Sequence, residues 1–517
     1  MSAGAVQRAV LITASEAYPV LERLFLEARG NIRMGFRIFD PRTRLRSDEA
    51  RAIGEDWFDL LLHTLARGVR IDLALSDFDP VVGTDVHQMT WRSMRLFAAI
   101  GELAGPDARL NVVAAMHPAR VSAAARAALY GKIRTELRAR CAWLNGLAPD
   151  ERARALSEVP GLVPYLHVEP DGVRPRSWPI APLVPATHHQ KLAVFDEETL
   201  YIGGLDLDER RWDTWDHEED GPETWHDVQA VVTGEVARDA HAHLGRFLDE
   251  VAGRQPVEGD GGRLLRTLSV KRAGPTLSMS PAEAVSEIGD LHYREAARAE
   301  RFVYLESQFF RDRRLAHVLA DRAKEKPDLR CILILPAAPE DVAFAGSTRM
   351  DARYGEFLQA RCLRRIRRAF EERLFIGTPA TRRREEVSET DEGRDLYFTS
   401  PLIYVHAKVS IFDDRIATVS SANLNGRSFR WDTEAGVAFE NPEEVAHLRE
   451  RCFDHWLPRE AGPEFRDPAT AVTAWREMAV TNARTPPARR RGFLLPYLIK
   501  PGEGFGRNLP GVPEEMV

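Results

Sequence analysis

The sequence has little cysteine: four residues in 517, at positions 141, 331, 362 and 452, with no C-x-x-C spacing. That argues against a disulfide scaffold or a thiolate metal site and fits a reducing compartment. No apolar run approaches the length that spans a bilayer, so no transmembrane helix is expected. The opening residues meet Glu16 before any long apolar stretch, unlike a secretory leader. The expected location is therefore cytoplasmic, with peripheral attachment to a membrane as the variant. An excess of positive charge is also missing: 71 Lys+Arg face 78 Asp+Glu, for a net charge of -7. Proteins that coat nucleic acid by neutralising phosphates are usually basic, so nucleic acid is disfavoured as a partner. What is present is an ordinary globular composition, 44% apolar and 29% charged. The length suits about two to four domains, or one large duplicated one.

Helical spacing alternates with short β-rich runs, an α/β pattern. Residues 31–39 (NIRMGFRIF) and 69–76 (VRIDLALS) read as buried strands, and 302–310 (FVYLESQFF) and 329–336 (LRCILILP) repeat the pair. The Gly/Pro/acidic stretch 253–262 reads as a linker. The repeat is also numerical. His189, Lys191, Asp196 and Asp206 recur as His406, Lys408, Asp413 and Asn423, each 217 residues later. The strand pairs upstream are offset by about 260–270, so an insertion is expected in the first half at about 80–185. The expected division is a first domain over 1–252, a linker over 253–281, a second domain over 282–483 and a basic, apolar tail over 484–517.

The repeated unit is H-x-K-x-x-x-x-D. Alternate side chains of an extended strand share a face, so His189 lies with Lys191, and His406 with Lys408. A lone H-x-K is commonly incidental; two in one register, each followed by its Asp and a Gly/Ser-rich turn, point to catalysis. Two such strands brought together would offer two histidines and two lysines to one phosphate diester. The lysines would neutralise phosphate oxygens. One histidine would attack phosphorus and the other protonate the departing alkoxide, a step worth about 10²–10⁴ in rate. Histidine suits both roles because its ordinary pKa is about 6.5.

These motifs resemble the paired HKD motifs of the phospholipase D superfamily. HHQKLAVFDEETLYIGGLDLDERRWDT, WHDVQAVVTG and YLESQFF resemble stretches of the eukaryotic-type enzymes, and VHAKVSIFDDRIATVSSANLNGRS followed by WDTEAGV resembles the superfamily's second motif. The resemblance covers about residues 15–455. It implies two pseudo-twofold-related α/β domains fused in one chain, with the active site at their interface. It also implies a phosphohistidine intermediate, with no cofactor and no metal.

Carried over residue by residue, the resemblance makes His189 the nucleophile and His406 the general acid, an assignment that sequence symmetry leaves reversible. Lys191 and Lys408 match the phosphate-binding lysines, and Ser421 with Asn423 the polar pair after the second motif. In the first half Gly204 and Asp206 take those two places; an ionised Asp206 would repel phosphate, so it is expected to turn away or to meet a proton-bearing partner. Glu434 matches the carboxylate that orients a catalytic histidine, as the aspartate of a Ser-His-Asp triad does. Its first-half counterpart should be Asp227, displaced by a short acidic insertion at 215–223. Asp196 and Asp413 are expected to hold structure near the site. Glu306 and Gln308 are either a polar site wall or buried support, and Arg37 on the equivalent first-half strand has the same two readings. His188 is expected to pack on the other face. Trp212, Trp215 and Trp225 either wall a lipid groove or fill the core.

The expected partners are a phospholipid, a water or alcohol acceptor and an anionic membrane surface. The last rests on the tail, where Arg489–Arg491 precede Phe493, Leu494, Leu495, Tyr497 and Leu498. A basic cluster beside exposed apolar residues suits interfacial binding; the other reading is a strap packed back on the protein. Residues 501–517 are expected to be loosely held. The expected activity is hydrolysis or transphosphatidylation of phospholipid, cardiolipin-synthase-like chemistry being the transfer variant. The rivals are an endonuclease of the same superfamily and a catalytically silent membrane-docking or scaffold protein.

Overall fold

The computed structural model describes residues 8–257, 262–272, 281–385 and 394–517. One sheet holds β1 (Arg8–Ile12), β2 (Asn31–Phe36), β3 (Arg70–Asp77), β4 (Leu110–Met116), β5 (Leu192–Phe195), β6 (Thr199–Gly203) and β7 (Val228–Thr233), in the order β1-β7-β6-β5-β2-β3-β4. The other holds β8 (Leu264–Val270), β9 (Ala282–Ser286), β10 (Phe302–Glu306), β11 (Arg330–Ile334), β12 (Leu374–Pro379), β13 (Val409–Phe412), β14 (Ile416–Ser420), β15 (Glu434–Phe439) and β16 (Leu494–Pro496), in the order β9-β8-β15-β14-β13-β10-β11-β12-β16. In each sheet three neighbouring strands run parallel, joined by crossover helices, and the motif strand pairs antiparallel beside them. Both sheets are mixed, and the class is α/β as expected.

Sequence periodicity explains the layering. In β5, Leu192 and Val194 face a core shared by both sheets, whereas Ala193 and Phe195 face an outer core. Both faces of β5 are therefore covered, which is why it reads as an unbroken apolar run. The shared core takes Leu244 and Phe247 from helix Glu235–Val251 and Phe453 and Trp456 from helix Pro442–Trp456. Helices Thr13–Glu27 and Trp57–Ala66 cover the outside of the first sheet, and Arg313–Glu325 and Met350–Phe370 the outside of the second.

Three expected boundaries shift. β12 starts 264 residues after β4, whereas β13 starts 217 after β5. The extra residues of the first half thus lie between β4 and β5, not from residue 80. Helix Thr84–Ala104 and β4 belong to the duplicated core, because β3 and β4 are parallel and need a crossover between them. The added part packs helices Tyr130–Asn145 and Pro149–Glu158 and a small hairpin around Ile133, Leu137, Leu144 and Val173. The expected linker contains β8, a strand of the second sheet. The expected tail supplies β16 as that sheet's edge: Phe493, Leu494 and Leu495 are buried, and Leu495 pairs with Thr378. Those three residues therefore face the core as the strap reading expected, while Leu498 is 45% exposed. Residues 501–517 are likewise engaged: Tyr354 donates to the Val512 carbonyl at 2.8 Å. Among the described residues no helix is long and apolar enough to cross a membrane.

Candidate active site

Each motif strand enters the centre beside the other half of the chain. The His189 N–H donates to the Thr433 carbonyl at 2.8 Å, and the His406 N–H to the His226 carbonyl at 2.8 Å. Thr433 and His226 each directly precede a carboxylate residue, so the pairing sets each carboxylate beside the opposite half's histidine. Glu434 accepts from His189 Nδ1 at 3.0 and 3.1 Å. Asp227 accepts from His406 Nδ1 at 2.7 Å. The pairing is crossed: each half orients the histidine of the other. With Nδ1 committed to the carboxylate, Nε2 is the nitrogen left for chemistry.

The lysines follow the same symmetry. Lys191 Nζ donates to the carbonyl of His189 at 2.6 Å, and Lys408 Nζ to that of His406. All four groups are buried or nearly so; the His189 side chain is 12% exposed and that of His406 5%. Desolvation dominates the electrostatics. It pulls both histidines well below their ordinary pKa, with help from Lys191 at His189 and from Lys408 at His406. His189 itself further lowers His406, and Lys191 lowers Lys408, so the two motifs share one electrostatic environment. Burial drops Lys408 to about 7 against the pull of Asp227. It raises Asp227 to about 6 and Glu434 to about 8.

The residues after the motifs differ between halves. Ser421 donates to Glu434. In the first half Gly204 stands there instead, because a Cβ would lie 2.2 Å from Asp227 Oδ1. Asn423 donates to Gln308 Oε1 at 3.1 Å, and Gln308 donates to Tyr404 at 2.8 Å. Asp206 does meet proton-bearing partners: the Ile38 N–H at 3.0 Å, Lys191 at 3.8 Å and Arg37 at 4.0 Å. Gln308 and Arg37 thus stand at the site's wall.

Glu306, two residues before Gln308, belongs to a network beneath His406. It accepts from His226 at 2.8 Å, Trp456 at 3.0 Å and Tyr304 at 2.5 Å. His188 faces away, bonded to Thr433 Oγ1 at 2.8 Å, and Gln190 accepts from His243 at 2.7 Å. Of the tryptophans, Trp225 is buried against the His406 ring with Arg211 over it at 3.8 Å, Trp215 abuts His455 and Trp212 lies under Arg46.

Asp196 and Asp413 lie at the far ends of β5 and β13, about 20 Å of extended chain from the histidines, rather than near the site. Each sits at positive φ in a tight turn, 51° and 56°, a conformation aspartate tolerates. Asp196 accepts from the N–H groups of Arg29, Gly30 and Asn31, and Asp413 from those of Glu300, Arg301 and Phe302. The motif's last residue therefore ties the hairpin to the start of the neighbouring strand.

Arg211, paired with Glu340 at 3.4 Å across the halves, escaped sequence reasoning because its partner lies in the other half. Among the described residues the group able to hold a metal is His217, His226 and His455, all buried, each offering a nitrogen within 4.8 Å of the others. These rings already bond within the protein: His217 to Asp213 at 2.7 Å and to His455 at 2.9 Å, and His226 to Glu306.

A family model described as cardiolipin synthase, PLD-like domain, matches residues 293–456, which include the second motif. Over that segment the chain is similar to the phospholipase D-like family. Phospholipase D1 of Schizosaccharomyces pombe is 23% identical over 339 residues, covering 48% of this chain and 24% of that protein. Phospholipase D2 of Bos taurus is 23% identical over 424 residues, covering 57% and 44%. The chain thus spans less than half the length of these curated relatives. The crystal structure of phosphatidylserine synthase from Haemophilus influenzae superposes with a TM-score of 0.51 at 12% identity, covering 92% of this chain and 94% of that one. The chain therefore shares its fold with a solved protein across nearly its whole length.

Proposed function

We propose that the protein is a phosphodiesterase of phospholipase D type that acts on phospholipids by hydrolysis or phosphatidyl transfer. The observation that carries the reading is the crossed pairing of His189 with Glu434 and His406 with Asp227, beside two buried lysines. His189 Nε2 attacks phosphorus, and the bond from phosphorus to the leaving alcohol oxygen breaks. Protonated His406 gives its proton to that oxygen. Water, or an alcohol in transfer, then attacks the phosphohistidine; His406 takes its proton and His189 is released. Lys191 and Lys408 carry the phosphate charge.

Two observations support His189 as the nucleophile. Its side chain is the more exposed of the two. Glu434 keeps its proton to about 8, whereas Asp227 ionises near 6; an ionised Asp227 offsets part of the burial that disfavours a charged His406 ring, as a general acid requires. Phospholipid is supported by the names of the relatives and by the acidic net charge, which disfavours a nuclease.

The test is brief exposure to a labelled phosphodiester, with product analysis on mixed phospholipids with and without glycerol. Acid-labile, base-stable label on His189 is expected, and glycerol diverts product from phosphatidate to phosphatidylglycerol. Label on His406 reverses the assignment. Cleavage of DNA in chelator, without lipid turnover, favours the nuclease. No label and no turnover of any diester overturns the reading and leaves a docking protein.

A further inference from the structure

A cavity of about 430 Å³ opens beside the catalytic strand, within the size range of small-molecule sites. Val82, Ile133 and Leu183 line one side, and Tyr354, Leu509 and Met516 the other. Most of its wall is apolar. Its catalytic end is marked by Thr187 and Arg427, which also line it. Thr187 lies two residues before His189, about 7 Å along an extended chain, and its carbonyl accepts the Thr433 N–H at 2.9 Å. Arg427 lies four residues past Asn423 and pairs with Asp432 at 2.9 Å, and Asp432 accepts the Thr187 N–H at 2.7 Å. The cavity therefore adjoins both catalytic segments.

Two parts of its wall come from outside the duplicated core. One is the added part of the first half around Ile133. The other is the segment 507–517, a strap clamped by Arg430, which holds Glu514 at 2.8 Å and Glu515 at 2.7 Å. The Arg507 N–H donates to the Arg353 carbonyl at 2.9 Å at the strap's start. Asp79, Lys132, Glu136, Arg349 and Asp351 also line the chamber; against its predominantly apolar remainder a hydrocarbon chain gains by leaving water.

We propose that this chamber seats one acyl chain of the substrate, with the strap 507–517 as its outer wall. The proposal rests on the phospholipid reading above and adds where the chain goes and which residues set its length. Its test compares Val82→Trp and Val512→Trp, placed on opposite walls, with wild type. Three readings are taken: turnover of a long-chain phosphatidylcholine in mixed micelles, turnover of a water-soluble dibutyroyl phosphatidylcholine, and calorimetric binding of hexadecyl phosphate. Both variants are expected to cut long-chain kcat/KM and hexadecyl phosphate affinity by about tenfold or more, with dibutyroyl turnover within about twofold of wild type. Equal losses on both lipids, or unchanged hexadecyl phosphate affinity in both variants, would overturn the chamber. If the wild type turns over no lipid, the functional reading fails, and the binding measurement still decides the chamber: affinity lost in both variants supports it.

Discussion

Arg37 stands 4.0 Å from Asp206 in the first half; at the equivalent places in the second, Asn423 donates a 3.1 Å hydrogen bond to Gln308. One half uses an ion pair where the other uses two amides. Lys191 accordingly has Asp206 at 3.8 Å from its own half, while the carboxylate that most favours charged Lys408 is Asp227, from the opposite half. The orienting carboxylates differ too. Glu434 takes a hydroxyl from Ser421, whereas Asp227 packs over Gly204 and accepts the Val228 N–H at 3.0 Å. Duplication set the frame, and the departures from symmetry give two chemically alike histidines different settings.

The largest effect tests that difference at the carboxylates. Asp227→Asn should lower kcat by about 10⁴, the scale seen when a triad's aspartate becomes an amide. Glu434→Gln should cost less, about 10²–10³, because Glu434 holds its own proton to about 8 and serves a neutral imidazole. Equal losses would remove the assigned asymmetry. The same variant carries a stability signature. Native Glu434 keeps its proton to about 8, while the unfolded side chain releases it near 4.5. Between those values the native state binds more protons, so wild-type stability falls as pH rises. Glu434→Gln lacks that fall, and its melting temperature relative to wild type should climb from pH 5 to pH 8. A gap independent of pH refutes the raised value.

The lysines come next. Lys408→Met should lower kcat/KM by about 10²–10³, and Lys191→Met by roughly tenfold less, because the charge of Lys191 is already partly met by Asp206. The reverse ranking would place the substrate phosphate nearer the first half.

Equal spacing between two H-x-K-x-x-x-x-D units made the duplication and the candidate residues legible, because both strands and hairpins kept their lengths after the copy. The crossing was not legible. Asp227 and Glu434 could each be matched to a role, but a carboxylate that reaches the other half leaves no spacing signal along the chain. The insertion was bounded too early for a similar reason. Unequal offsets locate extra residues only between two matched landmarks, and helix Thr84–Ala104, which belongs to the common core, fell inside that interval. The tail residues Phe493–Leu495 fit an exposed membrane face and an edge strand equally well by composition; pairing with β12 decided it.

A smaller effect probes the wall. Asn423→Asp gives the second half the first half's carboxylate without the guanidinium that accompanies it, since Gln308 stands where Arg37 would be. An uncompensated charge beside the substrate phosphate should raise KM by about tenfold with a smaller change in kcat. The double variant Asn423→Asp with Gln308→Arg should recover part of that loss, as a coupled pair does. No recovery would show that the two positions do not communicate.

The smallest effect on activity is expected at the two motif aspartates, where the halves agree. Each accepts three backbone N–H groups at the end of its strand remote from the histidines. Asp196→Ala and Asp413→Ala should each cost about 1–2 kcal/mol of stability, the scale of a lost helix cap, toward the lower end for Asp196, whose surroundings are partly solvated. Kcat should stay within about threefold of wild type. Burial pushes Asp196 up, yet its three N–H bonds outweigh that and hold it below its ordinary 3.8. Its contribution is therefore complete above about pH 4 and fades as the pH falls through the depressed value. The melting-temperature gap between wild type and Asp196→Ala should close in acid. A large drop in kcat at unchanged stability would instead move this aspartate from the frame into the chemistry.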